Sequence, residues 1–281
     1  MSSENREILV PIKDIVVSSI NNGGVMIGEN EVNLLRKYFI AGLNLGFFEV
    51  DNLKSLMDIF STRIKKVEVI TSFGMIDDYM IQGENLVITD ISNDEMSDKY
   101  IITFFKAITE ILLGFAKEKS RGFIDGLCEI VAEKIFFMDS KQQRIVFPKT
   151  EILVVHGKKL ELRTGYLKNG LIICLLKQFL ILYDYNENCI IRDMFLNGGL
   201  GFLKKVKNNN EQLLLLEILD VVYSSINGES VNPKKQIELI EKYQIIINNL
   251  FNEKDMRYFA FLALVTSDEL RKKCLSKCED E

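Results

Sequence analysis

Residues 98–138 read DKYIITFFKAITEILLGFAKEKSRGFIDGLCEIVAEKIFFM, and this stretch decides the fold. Apolar residues recur at spacings of three and four on both sides of a short polar turn at 120–122, which predicts helices over 98–118 and 122–138. One face of the first helix carries a row of large apolar side chains: Phe104, Ile108, Ile111, Leu112 and Phe115. Such faces must be buried, so we expect these two helices to lie at the centre of the molecule.

Polar residues form a second pattern on the same two helices. Lys106 and Glu110 lie four residues apart, opposite the apolar face of the first helix. The second helix carries an acidic stripe: Asp125, Glu129 and Glu133. Taken alone, both stripes predict water-exposed faces, where an i,i+4 ion pair contributes about 0.3–0.5 kcal/mol. Lys134 lies near an apolar face, where it would extend toward solvent or pair with a carboxylate.

The elements before this stretch are predicted from composition and spacing. The β-branched residues of EILVPIKDIVVSS, 7–19, favour one or two short strands. Helices are expected at 31–48 and 52–63, the second with Asp51 as its N-cap. A strand is expected at 66–73. Two apolar runs flanking Gly83-Glu84-Asn85 predict a hairpin.

The elements after this stretch are first β-rich and then helical. A strand is predicted at 144–147, followed by a hairpin at 150–164 that turns near Gly157. Six helices follow, at 166–182, 187–195, 200–206, 210–225, 232–250 and 255–276. The predicted class is α+β and predominantly helical, with a small mixed or antiparallel sheet on the two central helices and a helical C-terminal half. Three regions are therefore predicted: 1–64 with an N-terminal strand and helices, 65–165 as the core, and 166–281 as a helical C-terminal region.

Composition excludes several classes of function. The 281 residues carry 35 Lys plus Arg and 40 Asp plus Glu, a net charge of −5, so the basic footprint of a nucleic-acid-binding protein is missing. His156 is the single histidine, which excludes any site that needs two imidazoles, including HExxH. Five cysteines without a CxxC pair indicate reduced thiols. The absence of a signal-like N-terminus or an apolar run of about 20 residues predicts a cytoplasmic protein that does not bind membranes.

Three further sites can be considered from the residues alone. A nucleophilic pair of His156 with Cys128 or Cys174 stays open, because such partners meet only in space. The acidic stripe together with Glu110 would suit Ca²⁺, Mg²⁺ or Mn²⁺, which bind oxygen ligands. The sequence GGLG at 198–201 follows no strand and is followed by no GK[ST], so it predicts a helix-cap turn.

Residues 122–135, GFIDGLCEIVAEKI, resemble the second helix of a bacterial group of gluzincin-type zinc metallopeptidases, whose pattern is G-L-x-E-x-x-T-E-x-x-x-E-K. The segment KAITE, Lys106 to Glu110, falls where that group has HExxH. Tyr166 and the segments MFLNG (194–198) and FLKKV (202–206) are similar to its distal pattern. The resemblance covers roughly residues 65–206 and implies a zincin-like core.

The resemblance also implies a degenerate site. Lys106 and Glu110 would hold the histidine positions, Ala107 the position of the water-activating glutamate, and Glu129 that of the third zinc ligand. Asp125 and Glu133 lie on the same helix as Glu129 and complete the degenerate site: Lys106, Ala107, Glu110, Asp125, Glu129 and Glu133. These residues are expected around one cleft. Strand 86–90 is expected to border that cleft, because in zincins an edge strand there holds the substrate backbone.

The expected function is that of a catalytically inactive, metallopeptidase-like protein. It would act as a binding or regulatory module for a protein or peptide, with no catalytic residue, no metal and no cofactor. One alternative is a hydrolase with a metal site rebuilt from the carboxylates of Glu110, Asp125, Glu129 and Glu133. The other alternative is an unrelated α-rich interaction protein.

Overall fold

The computed structural model describes residues 3–70, 79–89, 98–113, 120–139, 150–155, 158–163 and 185–226, with single residues at 172, 176, 180, 232, 234, 235, 238, 239, 241 and 242. The chain divides into two compact units. The first comprises Met1–Phe115, Cys128–Val146 and Asn188–Gly199, and the second comprises Ala116–Leu127, Phe147–Glu187 and Leu200–Glu281. Most described residues are helical and a small mixed sheet is present, which confirms the α+β class.

The first unit begins with three helices: α1 (Ser3–Gly23), α2 (Glu29–Asn44) and α3 (Val50–Arg63). The prediction of strands at 7–19 is therefore wrong. Ile12, Val16 and Ile20 are buried and lie four residues apart, so they form one helical stripe, and α1 packs on α2 and α3. The small helix penalty of β-branched residues is outweighed by burial of that stripe.

Helices α2 and α3 confirm the predictions at 31–48 and 52–63, although the start of α3 differs. Its N-cap is Glu49, two residues before the predicted Asp51. The side chain of Asn52 accepts a hydrogen bond from the Glu49 backbone N–H at 3.1 Å, as part of a capping box. Several residues suited to capping lie at this helix start, which explains the error in position.

The sheet of the first unit has three strands: β1 (Lys66–Ile70), β2 (Tyr79–Gln82) and β3 (Asn85–Thr89). The predicted hairpin is confirmed, since β2 and β3 are antiparallel and Gly83 takes φ +60° in the turn. β3 also pairs with β1 in parallel, so the order is β1-β3-β2. The expectation of an edge strand at 86–90 is wrong for its described part, because β1 and β2 occupy both sides of β3. Residues 71–73 of the predicted strand lie outside the described residues.

Two long helices follow, α4 (Asp98–Leu113) and α5 (Arg121–Asp139), as predicted. Residues 114–118 of the first prediction lie outside the described part. α4 packs against α2, α3, β2 and β3, and every residue from 102 to 109 is buried. The prediction that the polar side of α4 faces water is therefore wrong at Lys106. The boundary between the two units falls within α5, between Leu127 and Cys128.

The second unit contains an antiparallel hairpin of β4 (Thr150–Val155) and β5 (Lys158–Arg163), as predicted. The strand predicted at 144–147 and the turn near Gly157 lie outside the described residues. Of the helix predicted at 166–182, Ile172, Leu176 and Leu180 are described, and all three are helical and buried.

Three further helices confirm the predictions at 187–195, 200–206 and 210–225. They are α6 (Glu187–Asn197), α7 (Leu200–Lys207) and α8 (Asn210–Ile226). Gly198 and Gly199 form the predicted turn with φ +59° and +69°. Six described residues between 234 and 242 are helical, within the prediction of 232–250, and 255–276 lies outside the described part.

The start of α5 is fixed within the second unit by α8. Asp220 accepts hydrogen bonds from the Ser120 hydroxyl at 2.9 Å and from the Gly122 backbone N–H at 2.8 Å. α7 packs on α8, and Phe202 of α7 stacks on Phe123 with ring centroids 5.2 Å apart. Among the described residues, no helix has both the length and the apolar character needed to cross a membrane.

Candidate functional site

The centre of the candidate site is an ion pair between α4 and α5 in the first unit. Lys106 Nζ lies 3.0 Å from Glu129 Oε2, and the two side chains are 10% and 2% exposed. Both residues were singled out by their sequence positions, and the structure brings them together. An ionised group is strongly destabilised away from water unless it is paired, so this contact favours the burial of both side chains.

The other predicted site residues lie on the same two helices. Glu110 is half-buried on α4, where it accepts a hydrogen bond from the Tyr79 phenol of β2. Ala107 is fully buried beside Lys106, and Glu133 is buried one turn after Glu129. Asp125 is half-buried one turn before Glu129, in the part of α5 that belongs to the second unit.

A second polar contact lies in the same core. The Thr109 hydroxyl donates to the Phe105 carbonyl at 2.8 Å, so it accepts from the Tyr38 hydroxyl, also at 2.8 Å. Complete burial raises the pKa of the Tyr38 phenol far above its ordinary value, mainly by desolvation. Tyr38 therefore remains a protonated donor at every physiological pH and cannot act as a base.

Sequence reasoning missed Tyr38, Thr109 and Tyr79. Thr109 lies inside the KAITE segment, and a threonine in the middle of an apolar helix indicates a bond to the carbonyl four residues earlier. The Tyr38 and Tyr79 partners are 71 and 31 residues away in sequence, so no local pattern could have identified them.

Lys134, the lysine near the apolar face of α5, is half-buried and donates to the Asn188 side-chain oxygen at 3.1 Å. Asn188 opens the α6 segment of the first unit. Arg192, one turn later, forms an ion pair with Glu49, the N-cap of α3. α6 is thus held to the first unit by polar contacts at two positions.

The described residues bring no three His, Cys, Asp or Glu side chains together in a way that could hold a metal ion. Cys128 is buried, whereas His156 and Cys174 lie outside the described residues, so the open Cys–His pair is not described. Arranged in this way, the site holds the Lys106 ammonium against the Glu129 carboxylate in a nearly dry environment.

No family model, no curated protein and no solved structure matches this chain.

Proposed function

We propose that this chain is a catalytically inactive relative of the gluzincin-type metallopeptidases that acts as a binding or regulatory protein. The observation that supports it is the buried contact between Lys106 Nζ and Glu129 Oε2 at 3.0 Å. By the sequence resemblance, Lys106 takes the position of a zinc-binding histidine and Glu129 that of the third ligand. The ammonium then supplies the positive charge that a metal ion would bring to Glu129.

The residue types support loss of hydrolysis. A hydrolytic zinc site of this type needs three protein ligands and a carboxylate that acts as general base on the bound water. A protonated lysine has no lone pair to give a metal. Ala107 has no proton acceptor and is fully buried. The Glu110 carboxylate accepts a hydrogen bond from the Tyr79 hydroxyl. Each of the three positions that would carry the chemistry is therefore occupied by a residue with a different role.

A protein or peptide partner is proposed from the form of the sheet. In its described part, β1 and β2 are the outer strands, and Val69 and Ile81 on them are 43% and 37% exposed. Met26 pairs with the start of β1, where its carbonyl accepts from the Val67 N–H at 2.9 Å. An outer strand can take up an extended peptide by backbone hydrogen bonding, with specificity from alternate side chains. The partner would add to the outer edge of β2, because Met26 already pairs with the start of β1, and it would leave the buried ion pair in place.

The test restores the missing ligands. The triple substitution Lys106→His, Ala107→Glu and Glu110→His is expected to bind one zinc per chain, measured by metal analysis after dialysis against zinc. Adding Glu129→Ala to the triple variant is the matched control and is expected to lower the zinc content, because it removes the third ligand. Circular dichroism and urea unfolding would establish that each variant is folded.

Two results would contradict the proposal. A folded triple variant that binds no zinc would overturn the metallopeptidase-like scaffold and favour the unrelated α-rich interaction protein. A stoichiometric divalent metal in the unmodified chain, lost in both Glu110→Ala and Glu129→Ala, would favour the hydrolase with a rebuilt carboxylate site.

A further inference from the structure

A cleft of about 500 Å³ that is open to solvent on one side lies between α1 and α3 in the first unit. Its volume is within the range of small-molecule pockets, roughly 300–1,000 Å³. Polar and apolar atoms share its wall about equally, and the hydroxyl, amide and carboxylate side chains on it are Ser18, Ser19, Asn22, Asp58, Ser61 and Thr62. Ser18, Ser19 and Asn22 lie on one face only if this segment is a helix. The sequence prediction of strands at 7–19 therefore could not identify the cleft.

The two helices approach each other closely at their C-terminal ends. A Cβ atom at Gly23 would lie 2.6 Å from Ser61 Cβ, so the end of α1 needs glycine there. Lys65 Nζ donates to the carbonyl oxygens of Gly23 and Ser61 at 3.0 and 2.8 Å. One ammonium thus caps the last turns of both helices.

The charges around the cleft nearly cancel. Each helix C-terminus carries roughly half a negative charge, so two of them balance the ammonium of Lys65. Lys54 and Asp58, one turn apart on α3, carry opposite charges. An anionic ligand would be repelled by the helix C-termini and a cationic ligand by the two ammonium groups, which leaves a neutral polar ligand as the best match.

The hydrogen-bonding groups of the wall also fit a neutral ligand. Ser18 and Ser61 donate their hydroxyl hydrogens to the carbonyls of Ile15 and Asp58, at 3.1 and 3.3 Å, so each has acceptor lone pairs left for the cleft. Asn22 and Thr62 can both donate and accept. Ligand hydroxyl groups, which also do both, satisfy such a mixed wall better than groups that only donate or only accept.

We propose that the cleft between α1 and α3 binds a neutral, polyhydroxylated small molecule, a monosaccharide or a linear polyol. Hydrogen bonds that replace bonds to water contribute modestly, so a dissociation constant of about 1 mM is expected. This site does not involve α4 or α5, and it is independent of the proposed loss of zinc ligands.

The experiment uses the full chain with sugars of matched size and different charge. Saturation-transfer NMR and titration would compare glucose and mannitol with glucose 6-phosphate, an anion, and glucosamine, a cation. Glucose or mannitol is expected to bind, and both charged sugars several-fold more weakly. Ser18→Tyr, which places a ring in the cleft, is expected to weaken binding at least about tenfold. Ser55→Tyr, at another exposed helical serine outside the cleft, is the control and should bind like the unmodified chain.

Three outcomes would overturn this inference. They are tighter binding of glucose 6-phosphate or glucosamine than of glucose, equal weakening by Ser18→Tyr and Ser55→Tyr, and no binding of glucose or mannitol at tens of millimolar. Ser18 and Ser55 are both exposed, so neither substitution should disturb the core. Unfolding temperatures close to that of the unmodified chain would show that both variants keep the fold.

Discussion

At the scale of single residues, Lys106 and Glu129 place two charges almost out of contact with water. The mutual attraction of such a pair only offsets the loss of hydration, and replacing both partners by apolar side chains is often neutral or stabilising. Removing one partner is different, because the remaining charged group then loses the opposite charge that lies 3.0 Å from it in the core. The pair is therefore a weak source of stability but a strong constraint on which side chains can stand there together.

Two single substitutions and their combination test this constraint. Lys106→Met and Glu129→Met are each expected to lower the free energy of unfolding by about 3–5 kcal/mol, and the double variant by much less than either. Urea unfolding of all four proteins at one pH gives the coupling energy. Losses that simply add in the double variant would show that the two charges are stabilised by other groups.

The sequence allowed the prediction that Lys106 and Glu129 lie close together, but not that both are buried. Positions 106, 110 and 129 followed from spacing and resemblance. Polar residues four apart have the same spacing on a solvent-exposed helix face as on a buried one, so spacing does not predict burial. Lys106 is buried because α4 packs against α2, α3 and the sheet. The Tyr38–Thr109 contact spans 71 residues and depends on that tertiary packing.

At the scale of elements, the first turn of α5 is defined by its closeness to α8. A Cβ atom at Gly122 would lie 2.2 Å from the Leu219 carbonyl oxygen, which is backbone and part of a helix. At Gly126, one turn later, the nearest atoms are side-chain methyl groups of Ile172 and Leu176, at 2.8 and 3.1 Å. The Leu176 methyl is the end of a flexible side chain, and the Ile172 methyl can move by a change of χ1, whereas a helical carbonyl cannot move alone.

We expect Gly122→Ala to destabilise the protein by about 2–3 kcal/mol, as overpacking does, despite the gain in helix propensity. Gly126→Ala is the matched control in the same helix and should lose clearly less, because its neighbours can adjust. Thermal and urea unfolding of both variants provide the comparison. Equal losses would mean that the contact with Leu219 is not what requires glycine at position 122.

Elements were predictable where one signal dominated. Helices α2 to α8 and both hairpins followed from apolar spacing and turn residues, and α1 did not. In α1, Ile12, Ile15, Val16 and Val17 have β-branched side chains, and only packing on α2 and α3 selects the helix. The pairing of β3 with β1 was also beyond local reasoning, because strand order depends on where the chain returns after α3.

At the scale of the whole molecule, neither unit is one continuous stretch of chain. Residues 188–199 belong to the first unit, whereas the sequence pattern groups them with a helical C-terminal region from 166 onward. The packing of two phenylalanines shows how the chain passes from the first unit to the second. Phe195 of α6 lies against Phe47 and Phe48, with ring centroids 6.4 and 5.4 Å apart. Seven residues later, Phe202 packs on Phe123 and Tyr185 in the second unit.

These two phenylalanines make the division testable. Phe195→Ala and Phe202→Ala each remove a buried ring, a change that typically lowers stability by 3–5 kcal/mol. Hydrogen exchange measured by mass spectrometry should show faster exchange in α2 and α3 for Phe195→Ala, and in α8 for Phe202→Ala, because local opening follows the unit whose packing is lost. The two variants serve as controls for each other. The same exchange pattern in both variants would mean that the chain opens as one cooperative body. Faster exchange of α8 alone in Phe195→Ala would mean that α6 packs with the helical C-terminal region predicted from the sequence.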